Sequence, residues 1–395
     1  MRPIYAKKYL PALGGMLALA VAMGTGRFAY TPLLPFMQSG AGFDDSIAGI
    51  IASWNYAGYL AGALVFGHIP RRFHSTGFRL SLTLILIVTI AMGIAEGLTT
   101  WYALRFLAGV LSAAIFVFGS LLVMEALALR GAIHLSGIMY SGVGVGIALS
   151  AIGVAPLCDF FGWKEAWIGI GVLSIFPVAF AWLWVKSESL ARTSTTKVTT
   201  GLNAPQSEKP LRGIFIRLGV AYFLEGLGYV VSVTFLVLIV RTLLDSPVAG
   251  TISWLLVGVS AAVSTIFWPQ IAARYGESRS LMAAYFIQSI GIASPVFWPT
   301  TFGAYLSAVL LGGTFMGIVS LTIMYGRKLA PHKAGTSVGM LTALVGAGQI
   351  IAPALAGYIA KIQGNFTVPL LFAAGLVALG GVILAADAWK AHKPA

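Results

Sequence analysis

Charge is what this chain has least of. Only 9% of its 395 residues are Asp, Glu, Lys or Arg, whereas 58% are hydrophobic, and the mean hydropathy is +0.90. Soluble domains carry roughly a quarter charged residues, so an ordinary water-facing surface is excluded and the solvent must be largely lipid. Acid is scarcer than base, at 12 Asp and Glu to 25 Lys and Arg. The bases stand in short clusters between apolar runs, a topology signal rather than a phosphate-binding face; nucleic acid is therefore excluded as a partner. Cys158 is the only cysteine, which excludes an internal disulfide and a cysteine-rich metal site. Short alternating strands are missing, so a β-barrel is excluded. A phosphate-binding loop would need a preceding strand and a following Lys-Ser/Thr, and the glycine-rich stretches here have neither. Paired carboxylates, a Ser/His pair and metal ligands at membrane depth are also lacking. The expectation is a chain that is no enzyme and holds no cofactor or metal; His68, His74, His134, His332 and His392 fall near the basic ends of apolar runs.

What is present is long apolar runs. About 20 apolar residues cross the hydrocarbon core as a helix, and a helix satisfies its own backbone hydrogen bonds in lipid. That ruler gives twelve spans: 11–37, 46–69, 78–97, 100–126, 134–157 and 164–186, then 213–241, 248–271, 279–298, 302–326, 335–360 and 367–388. Lys7 and Lys8 before an apolar stretch, with Ala18-Leu19-Ala20 after it, imitate a cleaved signal. Cleavage is rejected because the run continues to Met37 and has a counterpart later in the chain.

Positive charge orients the spans. Arg2, Lys7, Lys8, Arg71, Arg72, Arg79, Arg130, Arg274, Arg279, Arg327, Lys328, Lys333, Lys390 and Lys393 fall on one side. Lys164, Arg241 and Lys361 fall on the other, offset by Asp44, Asp45, Asp159 and Asp245. Both termini are expected in the cytoplasm. Glu96 and Glu125 lie near span ends and are expected to be solvated.

The only long polar stretch, KSESLARTSTTKVTTGLNAPQSEKPLRG, runs from Lys186 to Gly213 and reads as a solvated linker. The expected organisation is 1–189 as one six-helix bundle, 190–212 as a cytoplasmic linker and 213–395 as a second bundle. The halves repeat. Gly24-Thr25-Gly26 matches Gly226-Leu227-Gly228, Arg72-Phe73 matches Arg274-Tyr275, and Gly144-Val145-Gly146 matches Gly346-Ala347-Gly348, each 202 positions apart. Ala48-Gly49, Ser53-Trp54 and Gly58 match Ala249-Gly250, Ser253-Trp254 and Gly258 at nearly the same offset. Matches at constant spacing in corresponding helices mean a duplicated unit.

Two six-helix halves joined by a linker resemble the major facilitator superfamily, whose parallel repeats rock about a midplane site. GHIPRRFHSTGFR after span 2 resembles the superfamily's loop 2–3 gating signature through Gly67, Arg71, Arg72, Gly77 and Arg79, but its aspartate is missing. LRFLAGVLSAA in span 4 resembles the signature around an intramembrane arginine, here Arg105. SGVGVGIALSAIGVAP loosely resembles the antiporter Gly-Pro motif, with Ile147 and Ala148 where its proline belongs; GQIIAPALAG in span 11 is nearer. GRFAYTPLLPFM in span 1 is similar to the YbfB/YjiJ-like branch. The resemblance implies an all-α integral membrane protein of twelve helices in two pseudo-symmetric bundles. It also implies a monomer in the bacterial cytoplasmic (inner) membrane, with spans 1, 4, 7 and 10 lining a central cavity.

Three ionisable residues lie well inside spans: Arg27, Arg105 and Glu225. Each is costly against lipid and is expected to face protein or water. All three fall on the cavity-lining set, which chance placement on the twelve spans would give roughly one time in 27, intramembrane charge being the functional marker. Tyr222, Glu225, Tyr229 and Ser232 recur at helical spacing; Tyr30 and Thr31 accompany Arg27, and Asn55 with Tyr59 and Gln349 add polar groups. The candidate substrate and proton cavity is thus Arg27, Tyr30, Thr31, Asn55, Arg105, Tyr222, Glu225, Tyr229 and Gln349, with Gly67, Arg71 and Arg72 as the loop motif. Burial favours the neutral form of a carboxyl and a nearby arginine opposes it. Aligning the repeats places Arg27 opposite Tyr229, one turn from Glu225, so an Arg27–Glu225 pair across the halves is expected as the gate.

The function expected is secondary active transport of a small organic solute by alternating access, with proton-coupled export by antiport. The alternative is proton symport uptake of a small organic anion. A different class, a membrane sensor that transports nothing, would need an output domain.

Overall fold

A computed structural model of the chain describes residues 3–186, 208–331 and 334–390, with side chains described at 8–186, 212–331 and 336–386. Among the described residues twelve helices are long and apolar enough to cross a bilayer, and there is no strand. They are α1 (Lys8–Ala41), α2 (Asp45–Phe66), α3 (Arg71–Ile94), α4 (Leu98–Leu129), α5 (Ile133–Phe161), α6 (Trp163–Trp184), α7 (Arg212–Leu244), α8 (Pro247–Tyr275), α9 (Glu277–Phe297), α10 (Thr301–Leu329), α11 (Thr336–Gln363) and α12 (Thr367–Ala386). Each expected span coincides with one of them. The largest shift is at α3, where a 3-10 turn at Arg71–Phe73 starts the helix before the apolar run begins.

Polar caps end the helices where the chain turns. Gly42, at φ 70°, closes α1 by donating its N–H to Gln38. The Asp44 carboxylate then accepts the Ile47 N–H at 3.0 Å to start α2. Ser246 caps α8 in the same way, followed by Pro247 in the first turn. The expected linker lies outside the described residues up to position 207; from Glu208 the chain is already helical and runs into α7. Arg2, Lys7, His332, Lys333, Lys390, His392 and Lys393 also lie outside the described side chains.

The glycines of the repeat are crossing points. A Cβ on Gly24 would lie 2.4 Å from the Gly146 backbone, so α1 and α5 touch main chain to main chain there. Their counterparts Gly226 and Gly348 meet likewise in α7 and α11, where a Cβ on Gly348 would lie 2.9 Å from Gly226. Only small residues allow so close an approach. The duplicated motif therefore records a packing constraint met once in each half.

The halves join along two seams, α2 with α11 and α5 with α8. Trp254 donates its indole N–H to Ser150 across the second seam at 3.0 Å. Between α1 and α7, Thr31 donates to the Val233 carbonyl at 2.8 Å, across 202 positions. A bond between repeat-equivalent positions lies beside the pseudo-twofold axis that relates the halves. The end of the bundle opposite the start of α1 is tied shut. There Asp44 and Lys361 pair at 2.9 Å, and the Arg241 guanidinium lies 4.4 Å over the Phe36 ring. Lys361 and Asp44, which the sequence set merely on the same side, are thus partners across the two halves.

At the other end Arg71 pairs with Glu125 of α4. Glu125, expected in solvent, is only partly exposed and engaged in this pair. Glu96 is exposed and pairs with Lys164 at 3.0 Å.

Candidate functional site

The site is organised by a fault in α1. Residues Ala20–Phe28 form a π-helix, whose wider turns leave carbonyls that the helix does not satisfy itself. Neighbouring side chains take them up. Ser112 of α4 donates to the Ala22 carbonyl at 2.8 Å. Arg105, one side chain, donates to the Gly26 carbonyl at 3.1 Å and the Arg27 carbonyl at 2.9 Å. Its guanidinium also lies 4.9 Å from the Tyr30 ring. Asn55 of α2 donates to the Arg105 carbonyl at 2.9 Å, locking α2 to α4. Tyr30 donates to the Ala48 carbonyl at 3.0 Å. Arg105, Asn55, Tyr30 and Thr31 are therefore all engaged with main chain, and together they fix the shape of α1.

That shape sets Arg27 where the two halves meet. Its side chain is 5% exposed, and one terminal nitrogen donates to Gln349 Oε1 of α11 at 3.0 Å. Gln349 Nε2 in turn donates to the Tyr229 hydroxyl of α7 at 2.7 Å. The guanidinium packs on three rings, with centroids 4.2 Å away for Tyr59, 4.8 Å for Tyr56 and 5.2 Å for Phe28. Tyr229 stacks on Phe315 of α10 at 5.9 Å and 9°, and Phe28 meets Phe315 and Trp254 edge-on. The result is a cation inside an aromatic box, with an amide and a phenol beside it. Among the described residues no carboxylate lies within 4.0 Å of it. Its Nε makes no hydrogen bond.

The expected Arg27–Glu225 pair is not formed; Gln349 takes the place of the acid. Glu225 is fully buried and sits beside Gln288 and Tyr285 of α9, inside the carboxy-terminal bundle. Tyr222, buried one turn from Glu225, interacts electrostatically with Glu225, Tyr229, Tyr59 and Arg27. The reason is geometric. By sequence spacing Glu225 and Tyr229 share a broad face. But α7 is the most enclosed of the twelve helices, so around Glu225 and Tyr229 it meets protein on several sides and residues one turn apart reach different neighbours.

Sequence reasoning missed Tyr56, Phe28, Phe315, Tyr285 and Gln288. Tyr56 stands one position from Asn55 and three from Tyr59, so the polar-aromatic stripe of α2 pointed to it. Gln288, an amide in mid-span, carried the same kind of signal as Gln349. Gly67 caps the end of α2 and Arg71 and Arg72 open α3, away from this box, where Arg72 stacks on Phe73 at 4.7 Å.

Two six-helix halves closing on a shared polar-aromatic box define a major facilitator superfamily transporter, not an enzyme. The chain belongs to the family described as "Uncharacterised MFS-type transporter YbfB", whose model matches residues 19–385. It is similar to the benzoate transport protein of Acinetobacter baylyi, at 22% identity over 85% of this chain and 80% of that protein. It is 24% identical to monocarboxylate transporter 13 of Bos taurus, over 60% of this chain and 57% of that one. A shorter match, 29% over 154 residues, links it to the multi-drug resistance efflux pump PmrA of Streptococcus pneumoniae, of which it covers 38%. Its fold is also that of the nucleoside transporter NupG, with a TM-score of 0.69 over 98% of this chain and all of that one at 15% identity.

Proposed function

We propose that this protein is a secondary active transporter of small organic anions, carboxylates with an apolar or aromatic body. The observation that carries this reading is Arg27: a buried guanidinium with rings on its faces, a free Nε and no carboxylate partner among the described residues. A buried charge without a counter-ion is costly, and a substrate carboxylate supplies the counter-ion. Arg is suited to this because its fork binds a carboxylate through two parallel hydrogen bonds. Gln349 and Tyr229 flank the carboxylate, and the rings of Tyr56, Tyr59, Phe28 and Phe315 hold the body of the substrate. The benzoate and monocarboxylate relatives are in keeping with this chemistry.

On this reading the chain works as a monomer in the bacterial cytoplasmic membrane, with residues 1–189 and 213–395 as the moving bundles and 190–212 as their cytoplasmic link. The termini face the cytoplasm. The end tied by Asp44–Lys361 then faces outward, and the state described is closed to the outside. Uptake by proton symport fits an anion best, since the co-transported proton offsets its charge. Export by proton antiport is the second reading, favoured by the match to the pneumococcal pump.

Proteoliposomes test both. Labelled benzoate is expected to accumulate when the pH is lower outside, and Arg27→Gln is expected to abolish this. Transport of cationic or neutral lipophilic compounds alone, unaffected by Arg27→Gln, overturns the anion reading; benzoate expulsion against the proton gradient selects antiport.

A further inference from the structure

The carboxy-terminal bundle holds a second polar centre that the anion site does not use. Both carboxyl oxygens of Glu225, both amide heteroatoms of Gln288 and the Tyr285 hydroxyl make no well-aligned hydrogen bond, although Glu225 stands within hydrogen-bonding reach of Gln288, and none of the three residues is exposed. Folded proteins leave few buried polar groups unpaired, and each one calls for a reason. Five such atoms on three neighbouring side chains mark a place built for something mobile.

The chemistry of the three side chains says what. A neutral carboxylic acid and a carboxamide complement each other: the acid O–H donates to Gln288 Oε1, and the acid carbonyl accepts from Gln288 Nε2. A carboxylate cannot do the first of these, and its charge would stand unpaired among apolar helices, which is costly. The Tyr285 hydroxyl can donate to the remaining lone pair of the acid carbonyl. A proton thus completes the cluster, and its removal undoes it.

We propose that Glu225, Gln288 and Tyr285 form a proton-exchange site enclosed in the carboxy-terminal bundle, set apart from the anion site and linked to it by Tyr222. The proposal rests on the transport reading only for its use in coupling. A proton taken from water forms an O–H bond on one Glu225 oxygen. The same bond breaks when the proton returns to water on the other side of the membrane. Tyr222 is buried, one turn from Glu225, and interacts electrostatically with Glu225, Tyr59 and Arg27, as Tyr229 does with Glu225 and Arg27, so displacement of Arg27 by an anion is felt at the proton site through these rings. The titratable groups facing Glu225 are Tyr222 and Tyr229 on its own helix and Tyr285 on α9. Among the described residues the other helices packed on α7, namely α1, α8, α10, α11 and α12, bring no charged group to it.

pH-difference infrared spectroscopy of the purified full chain in lipid nanodiscs tests this without any substrate. A protonated-carboxyl C=O band that comes and goes with pH is expected, absent in Glu225→Gln and shifted in Gln288→Leu and Tyr285→Phe. Arg27→Gln is expected to keep the band, so failure of the anion reading leaves this result untouched. A band that survives in Glu225→Gln, or one indifferent to both partner substitutions, overturns the proposal. So does a band removed by sodium chloride at constant pH, which makes this a cation site. If Glu225→Gln does not fold, the shifts in the two partner variants decide alone.

Discussion

Arg105 and Arg27 look alike in the sequence, and replacing Arg105 tests whether the structure has separated them correctly. In Arg105→Met the side chain keeps most of its apolar length but loses both donors. The Gly26 and Arg27 carbonyls, served at 3.1 and 2.9 Å, are then left buried without partners. Each orphaned group costs about 1–3 kcal/mol, so the π-helical segment loses roughly 2–6 kcal/mol of support. Arg105→Lys keeps a donor for one carbonyl and is expected to lose about half of this. Thermal unfolding in detergent, followed by tryptophan fluorescence, is expected to rank wild type above Lys above Met. Benzoate affinity, measured below the unfolding range, is expected to fall only modestly, through looser placement of Arg27. Abolished benzoate binding with unchanged unfolding in Arg105→Met would falsify the assignment, because it would make Arg105 a substrate ligand rather than a clamp on α1.

Arg27→Gln is expected to give the opposite pattern. Truncating one partner of a buried, hydrogen-bonded charge pair costs about 2–5 kcal/mol, or roughly 30-fold to several thousand-fold in benzoate affinity, whereas the unfolding temperature holds or rises. Gly24→Ala and Gly226→Ala are each expected to lower stability sharply, because a Cβ at either position meets backbone or side chain across the helix crossing. Gly153→Ala, where a Cβ meets nothing within 4 Å, is the neutral control. At the tied end, the hydrogen bond from Lys361 holds the Asp44 carboxyl below the usual carboxylate range, helped by the Ile47 N–H. The pair therefore contributes fully at neutral pH and is lost as the pH falls below about 4 through the lowered value. Both side chains are more than a third exposed, so a double-mutant cycle with Asp44→Asn and Lys361→Met should give only a small coupling that salt weakens further. A coupling that does not weaken as the pH falls through the lowered value would refute the pairing.

The sequence by itself determined the class, the twelve spans and their duplication. Lipid leaves a backbone few options, so hydropathy reports helices directly, and the glycine pairs that let helices cross recur because each half meets the same steric limit. It also marked Arg27, Arg105 and Glu225 as the costly residues. What it left open was which of them face one another. Arg105 and Arg27 are both mid-span arginines, yet one serves carbonyls freed by a π-helix and the other stands in an aromatic box; no local pattern announced the π-helix. Glu225 shares a helical face with Tyr229, but α7 is surrounded by protein, and only the packing of α9 against it drew the carboxyl toward Gln288. Trp54 and Trp254 occupy matching positions in the repeat, yet one is 43% exposed and the other is wholly buried against Ser150. Side-chain partners at a crossing of helices depend on rotation and translation of whole elements. Those are set by the sum of all contacts in the bundle, so the identity of a residue fixes its cost of burial but not its partner.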